Sequence, residues 1–298
     1  MLGFSTFNNA LRKVCGALLK FLRFIISYFE SHSYRYFAGL FIVIVALFAL
    51  MLPSAYVVEE PGPTQDVLGS LSNTPVIKLH GLNGKKVKEH KDTGKLLLLT
   101  VNTSGVPGYE VSTSYALFSW MNPKREIVPR EALVPANQTA DEYDKASTKE
   151  MDNSQSVAEK VALQYAKKHL KINTDGVKAS LHIEDIGGPS AGMMYTLGIL
   201  DKLTPESETG GKTIAGTGTI EKSQKIGAIG GIRLKMIAAK RDGATWFLAP
   251  KDNCDEVVDN VPEGLRVVRV NTIDEAYKSL KAIGSGRGVN KLPSCSAK

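Results

Sequence analysis

The sequence predicts an α/β (α+β) domain preceded by a single N-terminal transmembrane helix. Two observations lead to this fold class. First, the 23 residues between Arg35 and Glu59 carry no charge, which is enough apolar chain to cross a bilayer. Second, after residue 151 short strand-like runs alternate with segments of helical periodicity. The chain has 298 residues, of which 43% are hydrophobic, so it can hold one or two globular domains besides these appendages.

Residues 1–35 are predicted to form a basic amphipathic tail in the cytoplasm. Met1–Tyr36 contains five basic residues and one acid, so this tail contributes +4 of the formal charge of +7. An apolar stripe within Ala10–Phe29 predicts a helix on the anionic inner leaflet, or else a partly ordered tail. The remainder carries only +3, which gives no argument for binding nucleic acid.

Residues 36–58 are predicted to be an uncleaved transmembrane helix. A cleaved signal peptide is the alternative, but the preceding region is long and Pro53-Ser54-Ala55 is a poor cleavage site. Basic residues precede the span, and Glu59, Glu60 and Asp66 follow it. This bias predicts a single-pass protein with a cytoplasmic N-terminus and the rest of the chain outside the cytoplasm.

Residues 59–150 are predicted to be a linker followed by a part that contains β-strands. Pro61–Asn73 has the composition of a linker, and Gln138–Lys149 that of a solvated helix or loop. The other predicted elements are strands at Val76–Leu79 and Leu96–Val101, a turn at Gly81–Gly84, a helix at Tyr109–Met121 and an irregular run at Val128–Ala136.

Residues 151–283 are predicted to form the main domain, and residues 284–298 a disordered tail. The predicted helices are Ser154–Leu170, a segment after Ser190, Gly231–Arg241, Asp252–Val258 and Asp274–Ile283. The predicted strands are Val177–Ile183, Thr213–Ile220, Lys225–Ala228, Thr245–Ala249 and Arg266–Val270.

Ser190 is the candidate nucleophile. It lies between a predicted strand and an apolar helix, so free backbone N–H groups and the positive end of the helix dipole favour an oxyanion there. The neighbouring residues Gly188, Pro189, Ala191 and Gly192 are expected to bind that oxyanion or the substrate backbone. The hexapeptide by itself is more typical of a turn with an N-cap than of a nucleophile.

Lys235 is the candidate base. Its neighbours one helical turn away, Gly231, Ile232, Ala238 and Ala239, are neither polar nor charged. Desolvation disfavours the ammonium, so such a lysine can be neutral near pH 7 and can accept a serine proton. A lysine whose amine reaches solvent is the alternative.

The serine also fits the G-x-S-x-G pattern of α/β-hydrolases. That fold requires a histidine after the serine, whereas all five histidines of this chain precede Ser190. A Ser–Lys dyad fits the sequence better than an order that uses His182 or His90.

Three motifs follow one another in this region: Gly188-Pro189-Ser190-Ala191-Gly192, Ala215-Gly216-Thr217-Gly218, and Ile229-Gly230-Gly231 followed by Lys235. In order and spacing they resemble the proteolytic domain of Lon-type serine peptidases over roughly Met151 to Ile283. The resemblance implies the Lon proteolytic-domain fold (ribosomal protein S5 domain 2-like). It also implies Ser190 as nucleophile, Lys235 as general base and Thr217 as a hydroxyl that orients the lysine.

The whole chain is similar to the membrane-anchored Lon-like proteases of bacteria that carry a PDZ domain, with two departures. Lon enzymes usually have Asp three residues before the serine, where this chain has Gly187; Asp185 is near but is not assumed equivalent. Only a few residues separate the Ser154–Leu170 helix from the Val177 strand, so no PDZ domain fits there.

The sequence thus predicts an ATP-independent serine endopeptidase, anchored in the membrane, that acts on unfolded or exposed protein segments outside the cytoplasm. A non-catalytic, membrane-anchored interaction module of the same fold is the alternative. No cofactor and no metal are expected, because metal-binding motifs are absent and Gly211-Lys212-Thr213 lacks the glycine that opens a P-loop. The expected partners are protein or peptide substrates and membrane lipid; homo-oligomerisation and a disulfide between Cys254 and Cys295 are left open.

Overall fold

The computed structural model describes residues 31–81, 87–183 and 187–296, with scattered positions between 16 and 28. The predicted Gly81–Gly84 turn, except for Gly81, and most of the Ala10–Phe29 helix therefore lie outside the described residues, as does Asp185. The chain divides into two compact units, described separately below: Met1–Leu52 with Ser112–Ser114, and Pro53–Val111 with Tyr115–Lys298.

The first unit contains one long apolar helix, α1 (Tyr34–Met51). It is 18 residues long, has a mean hydropathy of 2.1 and buries none of its side chains. By length and composition it can cross a membrane, and an N-terminal signal sequence would have the same properties. The helix ends at Met51 and not at residue 58, so the predicted span of 36–58 is too long at its C-terminal end.

The second unit is built on a six-stranded mixed sheet with the strand order β12-β11-β8-β5-β1-β6. The four strands at one side are mutually parallel, and β1 runs antiparallel to both of its neighbours, β5 and β6. The strands of this sheet are β1 (Tyr56–Asp66), β5 (Lys95–Ser104), β6 (Glu126–Pro129), β8 (Thr213–Gly216), β11 (Trp246–Pro250) and β12 (Arg266–Val270).

Six shorter strands form three antiparallel pairs beside the sheet. They are β2 (Ser70–Leu71) with β3 (Thr74–Pro75), β4 (Ile77–Gly81) with β7 (Val177–Leu181), and β9 (Thr219–Ile220) with β10 (Ile226–Gly227). The remaining helices are α2 (Thr113–Trp120), α3 (Ala140–Tyr165), α4 (Gly192–Leu203), α5 (Ile232–Arg241), α6 (Cys254–Val257) and α7 (Ile273–Ser285). The α/β (α+β) class predicted from the sequence is confirmed.

Helix α4 is the centre of the core, since all twelve of its residues are buried. Its apolar side chains pack with those of α3, α7 and the sheet. Helix α5 lies in a second apolar cluster with Leu97, Leu99 and Phe247 of the sheet. Each of these buried helices therefore holds the residue before it in place. That residue is Ala191 for α4 and Gly231 for α5.

The predicted linker at Pro61–Asn73 is wrong, because six of its thirteen residues belong to strand β1 and two more to β2. Two prolines are tolerated because β6 pairs only with Tyr56–Glu59, and in the described part of the chain no other strand pairs with this edge of β1 beyond that point. The β1–β5 register shifts between Pro61 and Thr64, which accommodates both prolines. A Cβ at Gly62 would lie 2.4 Å from the hydroxyl of Thr100, so the strands approach too closely there for a larger residue.

The six-stranded sheet joins residues 59–150 to residues 151–283. Strands from both parts alternate within the same sheet, and α3 begins at Ala140, inside the predicted solvated segment. The capping box of Thr139 with Glu142 starts this helix eleven residues before the predicted boundary.

The predicted disordered tail is wrong for its described part, which extends to residue 296. Cys295 forms a disulfide with Cys254 at a Cα–Cα distance of 5.1 Å. The carbonyl of Pro293 accepts a hydrogen bond from the N–H of Arg269 in β12. A tail rich in Gly, Ser and Lys is thus fixed by one covalent bond that composition does not reveal.

Candidate active site

An open cavity of about 230 Å³ brings the two predicted catalytic residues, Ser190 and Lys235, to one place. Four parts of the sequence that are far apart supply its walls: strand β1, strand β5, the turn before α4, and the start of α5. The other lining residues are Glu59, Pro63, Leu99, Thr100, Val101, Asn102, Gly187, Ala191 and Gly230.

Ser190 occupies a turn directly before α4, as the sequence predicts. Its carbonyl accepts hydrogen bonds from the N–H of Gly218 at 2.9 Å and from the hydroxyl of Thr217 at 3.1 Å. The carbonyl of Pro189 accepts one from the hydroxyl of Ser154 at 3.0 Å. Both peptide groups that flank the serine are thus fixed, and its half-buried side chain faces the cavity.

The backbone around Ser190 offers donors for an anion. Among the described residues, the N–H groups of Ser190 and Ala191 have no hydrogen-bond partner. The N–H of Gly192 is bonded to the carbonyl of Pro189 at 3.3 Å, and the N–H of Gly188 to the carbonyl of Ser147 at 3.1 Å. The donors expected from Gly188 and Gly192 are therefore engaged, whereas no described residue accepts a hydrogen bond from the two N–H groups between them.

Two glycines are required for this turn. Gly188 has a φ of +82°, in the region that only glycine adopts readily. A Cβ at Gly192 would lie 2.6 Å from Ile220 and 2.9 Å from the Ser154 hydroxyl. Gly187, where Lon enzymes usually have Asp, would place a Cβ 1.8 Å from the hydroxyl of Ser147. No side chain fits at that position unless Ser147 moves.

Lys235 is almost completely withdrawn from solvent, with 4% of its surface exposed. Helix α5 surrounds it with the buried residues Ile232, Ala238 and Ala239. Burial lowers the pKa of Lys235 to about 8, and the carboxylate of Glu59 acts weakly in the opposite direction. A substantial fraction of this amine is therefore neutral in mildly alkaline solution.

Thr217 connects the two candidate residues. It is 1% exposed and lies in the gap between β8 and β9, which the sequence predicts to be one continuous strand. Its hydroxyl accepts a hydrogen bond from Lys235 Nζ at 3.4 Å and donates one to the carbonyl of Ser190. Within residues 187–296, Lys235 Nζ makes no hydrogen bond to Ser190 Oγ.

Sequence reasoning missed Glu59, which it treated only as the first charge after the membrane span. Strand β1 places this carboxylate in the cavity wall with Lys235. Burial raises the pKa of Glu59, as does the nearby carboxylate of Glu126, whereas Lys235 lowers it. The only signal for Glu59 in the sequence is that it directly follows the apolar run Tyr56-Val57-Val58. An acid at this position is also compatible with a strand whose side chains alternate between core and surface.

Asn253 was also missed, because it lies in a polar run without a recognisable pattern. It is 2% exposed, and its side-chain amide bonds both the N–H and the carbonyl of Ile229, at 3.0 and 2.8 Å. These bonds fix the loop that leads through Gly230 and Gly231 into α5. Asn253 thereby sets the position from which Lys235 projects.

The region that contains this site is similar in sequence to known proteins. Residues 150–282 match the Lon protease (S16) C-terminal proteolytic domain. The mitochondrial Lon protease homologues of Candida glabrata and Saccharomyces cerevisiae are each 32% identical over 139 residues, which is 44% of this chain. The Lon protease of Azospirillum brasilense is 38% identical over 94 residues, or 30% of this chain.

The matched region covers only a small part of those relatives. It corresponds to 13% of the Candida glabrata protein, 12% of the Saccharomyces cerevisiae protein and 11% of the Azospirillum brasilense protein. The similarity is thus to the proteolytic part of much longer chains. The similarity of residues 150–282 to the Lon protease (S16) C-terminal proteolytic domain supports a serine peptidase.

Proposed function

We propose that this protein is an ATP-independent, membrane-anchored serine endopeptidase with a Ser190–Lys235 dyad. One observation carries the proposal: Ser190 borders the same cavity as a lysine that is 4% exposed and has a pKa of about 8. Structural lysines are rarely buried this deeply without a carboxylate in a salt bridge. Lys235 instead has a threonine hydroxyl as its hydrogen-bond partner.

The reaction begins with neutral Lys235. Ser190 Oγ attacks the carbonyl carbon of the scissile peptide while Nζ takes the hydroxyl proton. The N–H groups of Ser190 and Ala191 stabilise the oxyanion of the tetrahedral intermediate. Lys235 then donates the proton to the leaving amine, and an acyl-enzyme remains. Water hydrolyses the ester in a second cycle of the same proton transfers.

Ser190 Oγ and Lys235 Nζ must approach each other for this transfer. Catalytic hydrogen bonds of free enzymes are often long and shorten when the substrate binds. The hydroxyl of Thr217 holds Nζ next to the Ser190 backbone, so a rotation about the side-chain bonds of Ser190 and Lys235 is the movement that we expect. Thr217 therefore positions the base and carries no proton itself.

Membrane anchoring and an extracytoplasmic location are part of the proposal. Helix α1 is about 27 Å long at 1.5 Å per residue, close to the thickness of a bilayer core. The +4 charge of the segment before it favours a cytoplasmic N-terminus. The disulfide between Cys254 and Cys295 supports an oxidising compartment for the rest of the chain.

The substrates that we propose are unfolded or exposed protein segments. The cavity is open to solvent on a single chain, and the sequence contains no complete P-loop that would supply ATP-driven unfolding. An extended segment can reach Ser190 through this opening, whereas a compact domain cannot. In the wall of the cavity, Glu59 and Asn102 offer polar contacts to a bound segment.

The experiment uses the full chain in detergent with an unfolded protein substrate and no ATP. Ser190→Ala should abolish both cleavage and labelling by a serine-reactive fluorophosphonate, whereas the exposed Ser285→Ala should retain both. Lys235→Arg should also abolish cleavage because arginine stays protonated, and the exposed Lys240→Arg on the same helix is its control. Cleavage that persists in Ser190→Ala would exclude the dyad.

A non-catalytic interaction module is the second candidate. It is favoured by Gly187 in place of the usual Asp and by the lack of a direct bond from Lys235 to Ser190 within residues 187–296. An unaltered chain that neither labels nor cleaves, yet binds unfolded protein, would establish it. Protease added to intact cells stripped of their wall tests the topology: it should remove a C-terminal tag and spare an N-terminal one.

A further inference from the structure

Helix α2 presents a strongly exposed apolar face that the proteolytic site does not use. Three large side chains of its C-terminal half and Met121, the residue directly after the helix, form this α2 face. Leu117 is 51% exposed, Phe118 69%, Trp120 79% and Met121 80%. Single exposed apolar residues are ordinary, but a contiguous group that includes Trp and Phe marks a surface that contacts another apolar phase.

The helix is held in one orientation by its other side. Ala116 and Ser119 are buried, at 5% and 0% exposure. The hydroxyl of Ser119 accepts a hydrogen bond from Arg125 at 2.9 Å, and Arg125 is also paired with Glu60 of β1 at 3.1 Å. The same guanidinium lies over the ring of Tyr115, 5.1 Å from its centroid. The α2 face therefore points outward as part of a fixed structure.

The start of α2 is bonded to the end of the apolar helix α1. The N–H and the hydroxyl of Thr113 both donate to the carbonyl of Leu52, at 2.9 and 3.0 Å. Leu52 is the C-cap of α1. Thr113 and Leu52 belong to the same compact unit, so the first residue of α2 lies at the end of α1. Helix α2 has eight residues and is thus about 12 Å long.

We propose that the α2 face is embedded in the lipid interface, at the boundary between headgroups and acyl chains. This inference rests on the membrane anchor of the proposed function. Trp is the side chain most typical of this interface. The α2 face would be a second attachment of the chain to the membrane, besides α1.

The experiment takes advantage of the fact that the chain has only two tryptophans. Trp246 is 7% exposed and is covered by Arg266 at 4.0 Å from the ring centroid, so it serves as the internal control. The full chain is reconstituted in vesicles that contain phosphatidylcholine brominated near the top of its acyl chains. In the Trp246→Phe variant the tryptophan fluorescence comes from Trp120 alone, and in the Trp120→Phe variant it comes from Trp246 alone.

We expect bromolipid to quench Trp120 at least twice as strongly as Trp246, at every protein-to-lipid ratio. Equal quenching of the two would overturn the inference. Shielding of Trp120 that appears only at high protein density would indicate a second copy on this face and would also overturn it. If Trp246→Phe does not fold, the difference between the unaltered chain and Trp120→Phe gives the same quantity.

Flotation of the same vesicles separates this inference from the function on which it rests. A chain that floats with the vesicles but keeps Trp120 unquenched retains its anchor and loses only the α2 contact. A chain that does not float lacks the anchor, and both proposals fail. Cleavage of an unfolded substrate by the same preparation tests the dyad independently of either result.

Discussion

The pH dependence of cleavage is the sharpest test of Lys235 as the base. With a pKa of about 8, the amine is about 9% neutral at pH 7 and about 91% neutral at pH 9. Because only neutral Lys235 can accept the proton of Ser190, kcat/KM should rise about tenfold between these two values. A lysine with the usual pKa of about 10.4 would instead give a rise of about a hundredfold without a plateau.

The assay is the initial rate of cleavage of an unfolded fluorogenic substrate by the full chain, at low substrate concentration, from pH 6 to 10. Glu59→Gln removes the carboxylate that raises the pKa of Lys235, so its profile should shift to lower pH. Glu60→Gln, next to it but not in the cavity wall, should leave the midpoint unchanged. A midpoint near 10, or equal profiles for both variants, would refute the assignment of Lys235.

Three further predictions concern the surroundings of the site and the fold. Thr217→Val should lower kcat roughly tenfold, since one hydrogen bond to the amine is worth about 1–1.5 kcal/mol, and Thr217→Ser should restore it. Cys295→Ser should reduce the free energy of unfolding, measured by urea denaturation, by about 3–4 kcal/mol, because it opens a loop of 41 residues. A reductant should destabilise the unaltered chain by the same amount and leave the Cys295→Ser variant unchanged. Burial and a hydrogen bond to Asp92 raise the pKa of Asp201 to about 9. The stability that protonated Asp201 contributes is therefore complete below the unfolded-state pKa of about 3.9, and it is lost as the pH rises toward 9. The Asp201→Asn variant cannot ionise at this position, so its urea midpoint should decline less between pH 6 and pH 9 than that of the unaltered chain. An equal decline in both chains would show that other groups govern the pH dependence of stability.

The sequence by itself determined the chemistry of the candidate site. Ser190 follows glycine and proline and precedes an apolar helix, so a turn at a helix N-terminus is its natural setting. Lys235 has only apolar neighbours one turn away, and this local pattern already implies a buried amine with a lowered pKa. Both properties depend on residues within four positions, which is the range over which helical periodicity is informative. The α/β class could be predicted for the same reason.

Only the tertiary structure decided which residues share the cavity and where the domain begins. Glu59 lies 131 positions before Ser190 in the chain, and it reaches the cavity because β1 lies next to β5 in the sheet. The prolines of Pro61–Asn73 are typical of a linker, yet β1 tolerates them since its second edge is unpaired there. Strand pairing and disulfides join distant residues through contacts that leave no local periodicity. Sequence patterns therefore predicted the two candidate catalytic residues but not the carboxylate beside them, the single sheet that unites residues 56–270, or the ordered tail at Cys295.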